Sequence, residues 1–136
     1  METINIRLAA FEGPLDLLYH LIEKNEIDIY DIPIAALTEQ YLAYLDAAED
    51  RDMDGMSEFL LMAATLLDIK CRMLLPREIN EEGEEEDPRQ ELVEQLLQYK
   101  MYKYMSYELK DKMDDASGVY FREPDVPREV LQYREP

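Results

Sequence analysis

At 136 residues the chain has room for one domain plus an extension, and its 32 acidic and 14 basic side chains leave a net charge of −18. That charge argues against a direct grip on phosphates, which needs clustered Lys and Arg. A single Cys and a single His offer no disulfide and no metal cluster, no stretch reaches the roughly 20 uncharged apolar residues of a membrane helix, and no signal-peptide pattern opens the chain. The expectation is a cytoplasmic protein without a cofactor.

Thr3 to Leu8, TINIRL, alternates Ile4, Ile6 and Leu8 with polar residues, the pattern of a half-buried strand. Its pairing partner is left open between Val119–Phe121, a second copy of the chain, and packing on helices. Phe11-Glu12-Gly13-Pro14 starts a helix with Pro14 at its first position, running to about Lys24 and stopped by Asn25. Leu15, Leu18, Tyr19 and Ile22 form its core face, widened by Leu17 and Leu21, and His20 pairs with Asp16 on the wet side. Glu26 to Ile32 is a turn-rich connector burying Ile27 and Ile29. Asp31 and Pro33 then provide the cap and first turn of a second helix to about Ala48, lined inside by Ile34, Leu37, Tyr41, Tyr44 and Leu45.

Asp50-Arg51-Asp52-Met53-Asp54-Gly55 matches the opening of an EF-hand calcium loop, but the bidentate carboxylate due at the twelfth position is replaced by Leu61. The preferred reading is an acidic connector in which Asp54 caps the next helix; a weak calcium-binding protein is the alternative. Met56 to Leu75 is a helix with apolar residues on two faces. Phe59, Met62, Leu66, Ile69 and Met73 make one, and Leu60, Ala64, Leu67, Cys71 and Leu74 the other. A polar stripe of Glu58, Thr65, Asp68 and Arg72 separates them, with Asp68 and Arg72 placed to pair across one turn. Cys71, on an apolar face, reads as a packing residue. Periodicity alone leaves open whether both faces are core or one is offered to a partner. The bulky first set suits the inside. The second contains small residues that let a partner helix approach closely.

The stretch FEGPLDLLYHLIEKNEIDIYDIPIAALTEQYLAYL, residues 11–45, continued by the helix to Pro76, resembles the N-terminal region of the segregation and condensation protein A family, the bacterial kleisins. Tyr19 stands where leucine is expected. The resemblance implies a non-catalytic adaptor in chromosome condensation and segregation. It implies a helical N-terminal domain docked on the neck coiled coil of a structural maintenance of chromosomes (SMC) ATPase, and a central segment gripping a dimer of segregation and condensation protein B (ScpB). On that basis Leu60, Ala64, Leu67, Cys71 and Leu74 are the candidate neck surface. The family's C-terminal winged-helix domain has no counterpart here, so the chain looks like an N-terminal fragment.

Pro76 ends the central helix, and Arg77 to Asp87, with seven acidic residues and one basic, reads as a flexible linker. Asp87-Pro88 begins a long helix to about Met113, closed at Ser117-Gly118 and followed by an extended Val119-Tyr120-Phe121. Val93, Leu97, Met101, Met105, Leu109 and Met113 recur every four residues, so their row drifts by about 40° per step and no flat partner covers it. Tyr99, Tyr102, Tyr104 and Tyr107 add area of the kind enriched at interfaces. Residues 1–88 hold 22 acidic and 6 basic side chains (net −16) and 89–136 hold 10 and 8 (net −2), which favours an interface over a core role for this helix. With the resemblance, Leu97, Met101, Tyr104, Met105, Leu109, Tyr120 and Phe121 become the candidate ScpB surface. The sum is an all-α chain: a small helical bundle over 1–76 with a short N-terminal extended strand, an acidic linker over 77–87, and a partner-binding helix and tail over 88–136. No phosphate loop or nucleophile with a placed base suggests an enzyme. Without the resemblance, the residues define only an acidic helical interaction module.

Overall fold

The computed structural model describes residues 7–49 and 53–122. Among them the chain forms four helices, α1 at Pro14–Lys24, α2 at Ile34–Ala47, α3 at Met53–Leu74 and α4 at Gln90–Arg122, and no β-strand. The strand read over Thr3–Leu8 is corrected at its described end. Leu8 opens a 3-10 turn, Leu8–Ala10, and its side chain is buried in the core. The turn satisfies the backbone locally, Ala10 N–H donating to Arg7 O and Phe11 N–H to Leu8 O, where a lone strand would have needed a ladder partner. Residues 3–6 lie outside the described set.

α1 has the bounds its sequence signals dictate. Pro14 occupies the first turn, and Asp16 reaches back to accept the Glu12 N–H at 2.9 Å. At the other end Ile27 N–H donates to Ile22 O and Glu26 N–H to Glu23 O, a paired closure that forces Glu26 to a positive φ of 53°. Asn25 holds this end, its side-chain amide donating to Leu21 O and to Gln40 Oε1, both at 2.7 Å. Leu17, Leu18, Leu21 and Ile22 are buried, with Leu15 and Tyr19 half-buried at the margin, so the core face is centred one position away from that expected. His20 is exposed as anticipated but does not pair with Asp16. Its ring lies against Phe11 (5.5 Å) and Tyr44 (6.3 Å).

The connector buries Ile32 most deeply and carries a 3-10 turn, Ile29–Asp31, capped by Asp28 through the Tyr30 N–H. Asp31 therefore does not cap α2. The position before α2 is Pro33, without a side-chain cap, and Asp31 turns instead to Arg89. α2 buries Ile34, Leu37, Thr38, Tyr41 and Leu45, and α3 contributes Phe59, Ala63, Leu66 and Ile69 to the same core. Tyr41 is the polar tie in this seam. Burial pushes its phenol up and keeps it protonated, and the hydroxyl donates to Phe59 O at 2.7 Å. Tyr41→Phe should cost about 1 kcal/mol, read as a lower urea midpoint at unchanged slope.

Asp54 and Gly55 lie in the first turn of α3, so the helix begins before the cap proposed for it, while Asp50–Asp52 are outside the described residues. After Leu74 the acidic stretch is a built turn rather than an open chain. Ile79 and Glu85 pair antiparallel, and Glu86 N–H donates to Glu78 O at 2.8 Å. Asn80 Oδ1 accepts the Glu82 and Glu84 N–H groups at 3.0 and 2.9 Å. Gly83 supplies the positive φ of 81° that the turn requires. Arg89 then clamps the start of α4. Its guanidinium, mostly buried, bonds Asp87, Asp31 (3.2 Å) and Ile32 O (2.7 Å). The hydrogen bond from Arg89 holds the Asp87 carboxyl below its ordinary value, against a smaller opposing effect of burial. A depressed folded-state value means that the unfolded chain takes up the proton first. The contribution is therefore complete above the ordinary carboxylate range and is lost as pH falls below about 4. Asp87→Asn should flatten that part of the acid limb in a stability-versus-pH series.

Leu92 and Leu96 of α4 are fully buried against the bundle, and Val93 is half-buried. The compact unit accordingly ends at Tyr99, and a second unit begins at Lys100. The boundaries expected at 76 and 87 do not separate the first three turns of α4 from the bundle. Helix α4 also continues past Ser117-Gly118 to Arg122, so Val119, Tyr120 and Phe121 are helical, not extended.

Candidate protein-interaction surfaces

α3 fills the bundle with one face and leaves the other bare. The inward face holds Phe59, Leu66 and Ile69 as expected, with Ala63 added, and Met62 and Met73 are half-buried. On the outward face Leu60 is 52%, Leu67 43% and Leu74 79% exposed, and Ala64 and Cys71 are exposed with them. All five residues singled out as a candidate surface thus lie together on one solvent-facing side. Cys71 is a free thiol on that side rather than a packed core residue. Arg72 does pair with Asp68 at 3.9 Å, and it also meets Glu78 at 4.0 Å. These are exposed contacts of small energetic weight. Leu61 escaped both apolar sets and is 70% exposed. Its signal was the spacing of 61 with 58, 65, 68 and 72, which puts a leucine in the polar stripe.

The second unit presents its own row. Met101, Tyr102, Tyr104, Met105, Tyr107, Leu109 and Met113 are each between 56% and 63% exposed. Met101, Tyr104, Met105 and Leu109 follow one another along successive turns of α4. Leu97 is half-buried and belongs to the compact unit. Tyr120 and Phe121 lie on the helix, with nothing described of their side chains.

Tyr99, read from sequence as interface area, is internal to the compact unit. Its ring meets Tyr19 edge-on at 5.9 Å, and its hydroxyl donates to Glu12 Oε2 at 3.1 Å. Burial first, then the carboxylates of Asp16 and Glu12, push the phenol up so that it remains a donor. This contact spans 87 residues and had no local signature.

Among the described residues no three His, Cys, Asp or Glu side chains gather around a possible metal position, and no helix is long and apolar enough to cross a membrane. The two faces are thus apolar helix surface, leucine-rich on α3 and rich in Met and Tyr on α4.

The family model described as segregation and condensation protein ScpA matches residues 21–132. The chain is similar to segregation and condensation protein A of Halalkalibacterium halodurans, 52% identical over 130 residues that cover 92% of this chain and 50% of that protein. The protein of the same name from Bacillus cytotoxicus is 50% identical over 125 residues, covering 88% and 50%. That from Enterococcus faecalis is 50% identical over 130 residues, covering 91% and 49%. The chain spans about half the length of these curated relatives. With a family match across most of its length and relatives at half identity, the chain belongs to the segregation and condensation protein A family.

Proposed function

We propose that the chain is the N-terminal part of a non-catalytic kleisin adaptor that links an SMC ATPase to an ScpB dimer in chromosome condensation and segregation. The observation that carries this reading is the outward face of α3, a strip of exposed leucines beside small residues that no described residue covers. Such a strip suits a long helix, and the SMC neck is a coiled coil. Isolated Leu residues on a surface need no explanation, but a contiguous apolar strip along one helix does. ATP enters only through the SMC partner, and the −18 net charge leaves DNA to be held indirectly, by the assembly. The place of action is the cytoplasm, at the nucleoid.

The exposed Met and Tyr row of the second unit is assigned to ScpB. Methionine adapts to irregular partner surfaces, and tyrosine adds apolar area with a polar tip. Met101→Glu with Met105→Glu should weaken co-purification with ScpB by about a hundredfold or more, because each large apolar side chain buried at an interface contributes about 1.5–3 kcal/mol. The melting temperature of the chain should change little, since neither residue is buried in it. The adaptor reading as a whole is tested by mixing the chain with an SMC head-and-neck fragment and weighing the product by light scattering. A defined complex supports it. Two separate species at about ten micromolar would overturn it.

A further inference from the structure

Between α3 and α4, inside the compact unit, lies a groove of about 510 Å³. Native cores leave few voids larger than a water molecule, so this space is an open seam and not imperfect packing. Its lining is apolar through Leu61, Met62 and Ile69 of α3 and Leu92 of α4, completed by Pro14 and Pro88. Leu61 stands in it 70% exposed. The same groove is lined by the acidic groups Glu58, Asp68 and Glu91. Arg72, the one cation among the described lining residues, is already engaged by Asp68 and Glu78. From Glu58 to Arg72 the groove follows α3 for about 21 Å, four turns of helix. Its volume takes the side chains of one helix face rather than a whole helix.

We infer that this groove is a second docking site, which takes a basic amphipathic helix from a protein partner. The partner's aliphatic side chains enter between Leu61 and Leu92, and its Lys or Arg flanks meet Glu58, Asp68 and Glu91. Charge decides among occupants. A molecule of net charge −18 steers a cationic segment toward itself and repels a second copy of itself. The site is distinct from the proposed neck surface. Its stripe of Glu58, Leu61, Thr65, Asp68 and Arg72 shares no residue with Leu60, Ala64, Leu67, Cys71 and Leu74, and it lies about 100° further round α3.

The test uses the whole chain and a fluorescent synthetic peptide of about 15 residues, with Leu at helical spacing and Lys at the remaining positions, read by anisotropy near 0.15 M salt. Glu58→Lys, Asp68→Lys and Glu91→Lys together should weaken binding by about tenfold or more. The matched triple variant Glu81→Lys, Glu82→Lys and Glu84→Lys in the acidic turn alters net charge equally and should leave binding within about twofold. Leu61→Ser, at an exposed position that leaves the fold intact, should also weaken it. Equal weakening by both triple variants would reduce the effect to bulk charge and overturn the proposal. So would unchanged binding in Leu61→Ser. The groove variants should retain the SMC head-and-neck complex. Loss of that complex with them would merge the groove into the neck surface and overturn a separate site. The peptide measurement needs no SMC protein, so failure of the adaptor reading would not be mistaken for failure of the groove.

Discussion

Leu96→Ala should lower the stability of this chain by about 2–5 kcal/mol, the range for a fully buried leucine whose removal leaves a cavity. Leu96 has no exposed surface, and Leu92, one turn earlier on α4, has almost none. The two side chains are the main apolar attachment of α4 to the bundle, with Arg89 clamping one end and Tyr99 the other. The loss should appear in urea unfolding. In hydrogen exchange, amides of the first three turns of α4 should lose protection before those of α2 and α3. A change below about 0.5 kcal/mol, as at a surface position, would mean that α4 stands apart from the bundle and that the compact unit ends near Pro76.

That alternative is what the sequence suggests, and the reason is a matter of register. Residues 92–97, LVEQLL, hold two rows at spacing four, Leu92 with Leu96 and Val93 with Leu97. Extending the pattern downstream through Met101, Met105 and Leu109 selects the second row. The bundle uses the first, which lies about 100° away and stops where the compact unit stops. A drifting row on a long helix can thus serve one partner early and another later, and periodicity alone does not mark the change. The acidic turn was hidden in a similar way. Seven acidic residues between 77 and 87 read as self-repelling chain, while Asn80 and Gly83, which set the turn, are only two residues among them.

Where a local rule and the tertiary packing agree, the sequence was enough. The Gly13-Pro14 start and Asn25 stop delimit α1, and the bulky row on α3 is the buried one. With the bulky row in the core, Leu60, Ala64, Leu67, Cys71 and Leu74 face outward, whereas Leu97, grouped by spacing with Met101 and Met105, belongs to the compact unit. What was not legible needed partners distant in sequence. Tyr99 finds Glu12, Arg89 finds Asp31 and Ile32, and the groove exists only because α4 returns beside α3.

The outward face of α3 is the proposed neck-binding surface, and Leu60→Lys with Leu67→Lys tests that role. Both positions are well exposed, at 52% and 43%, so a lysine at either keeps its ammonium in water and the helix should lose neither its fold nor its melting temperature. At an interface the same changes remove two buried leucines and introduce two charges. Affinity should then fall by about a hundredfold or more. The measurement is calorimetric titration of an SMC head-and-neck fragment with the wild-type chain and with the double variant, alongside circular dichroism of each. An unchanged helical spectrum with lost binding is the expected result. A folded double variant that binds as tightly as the wild type would contradict it.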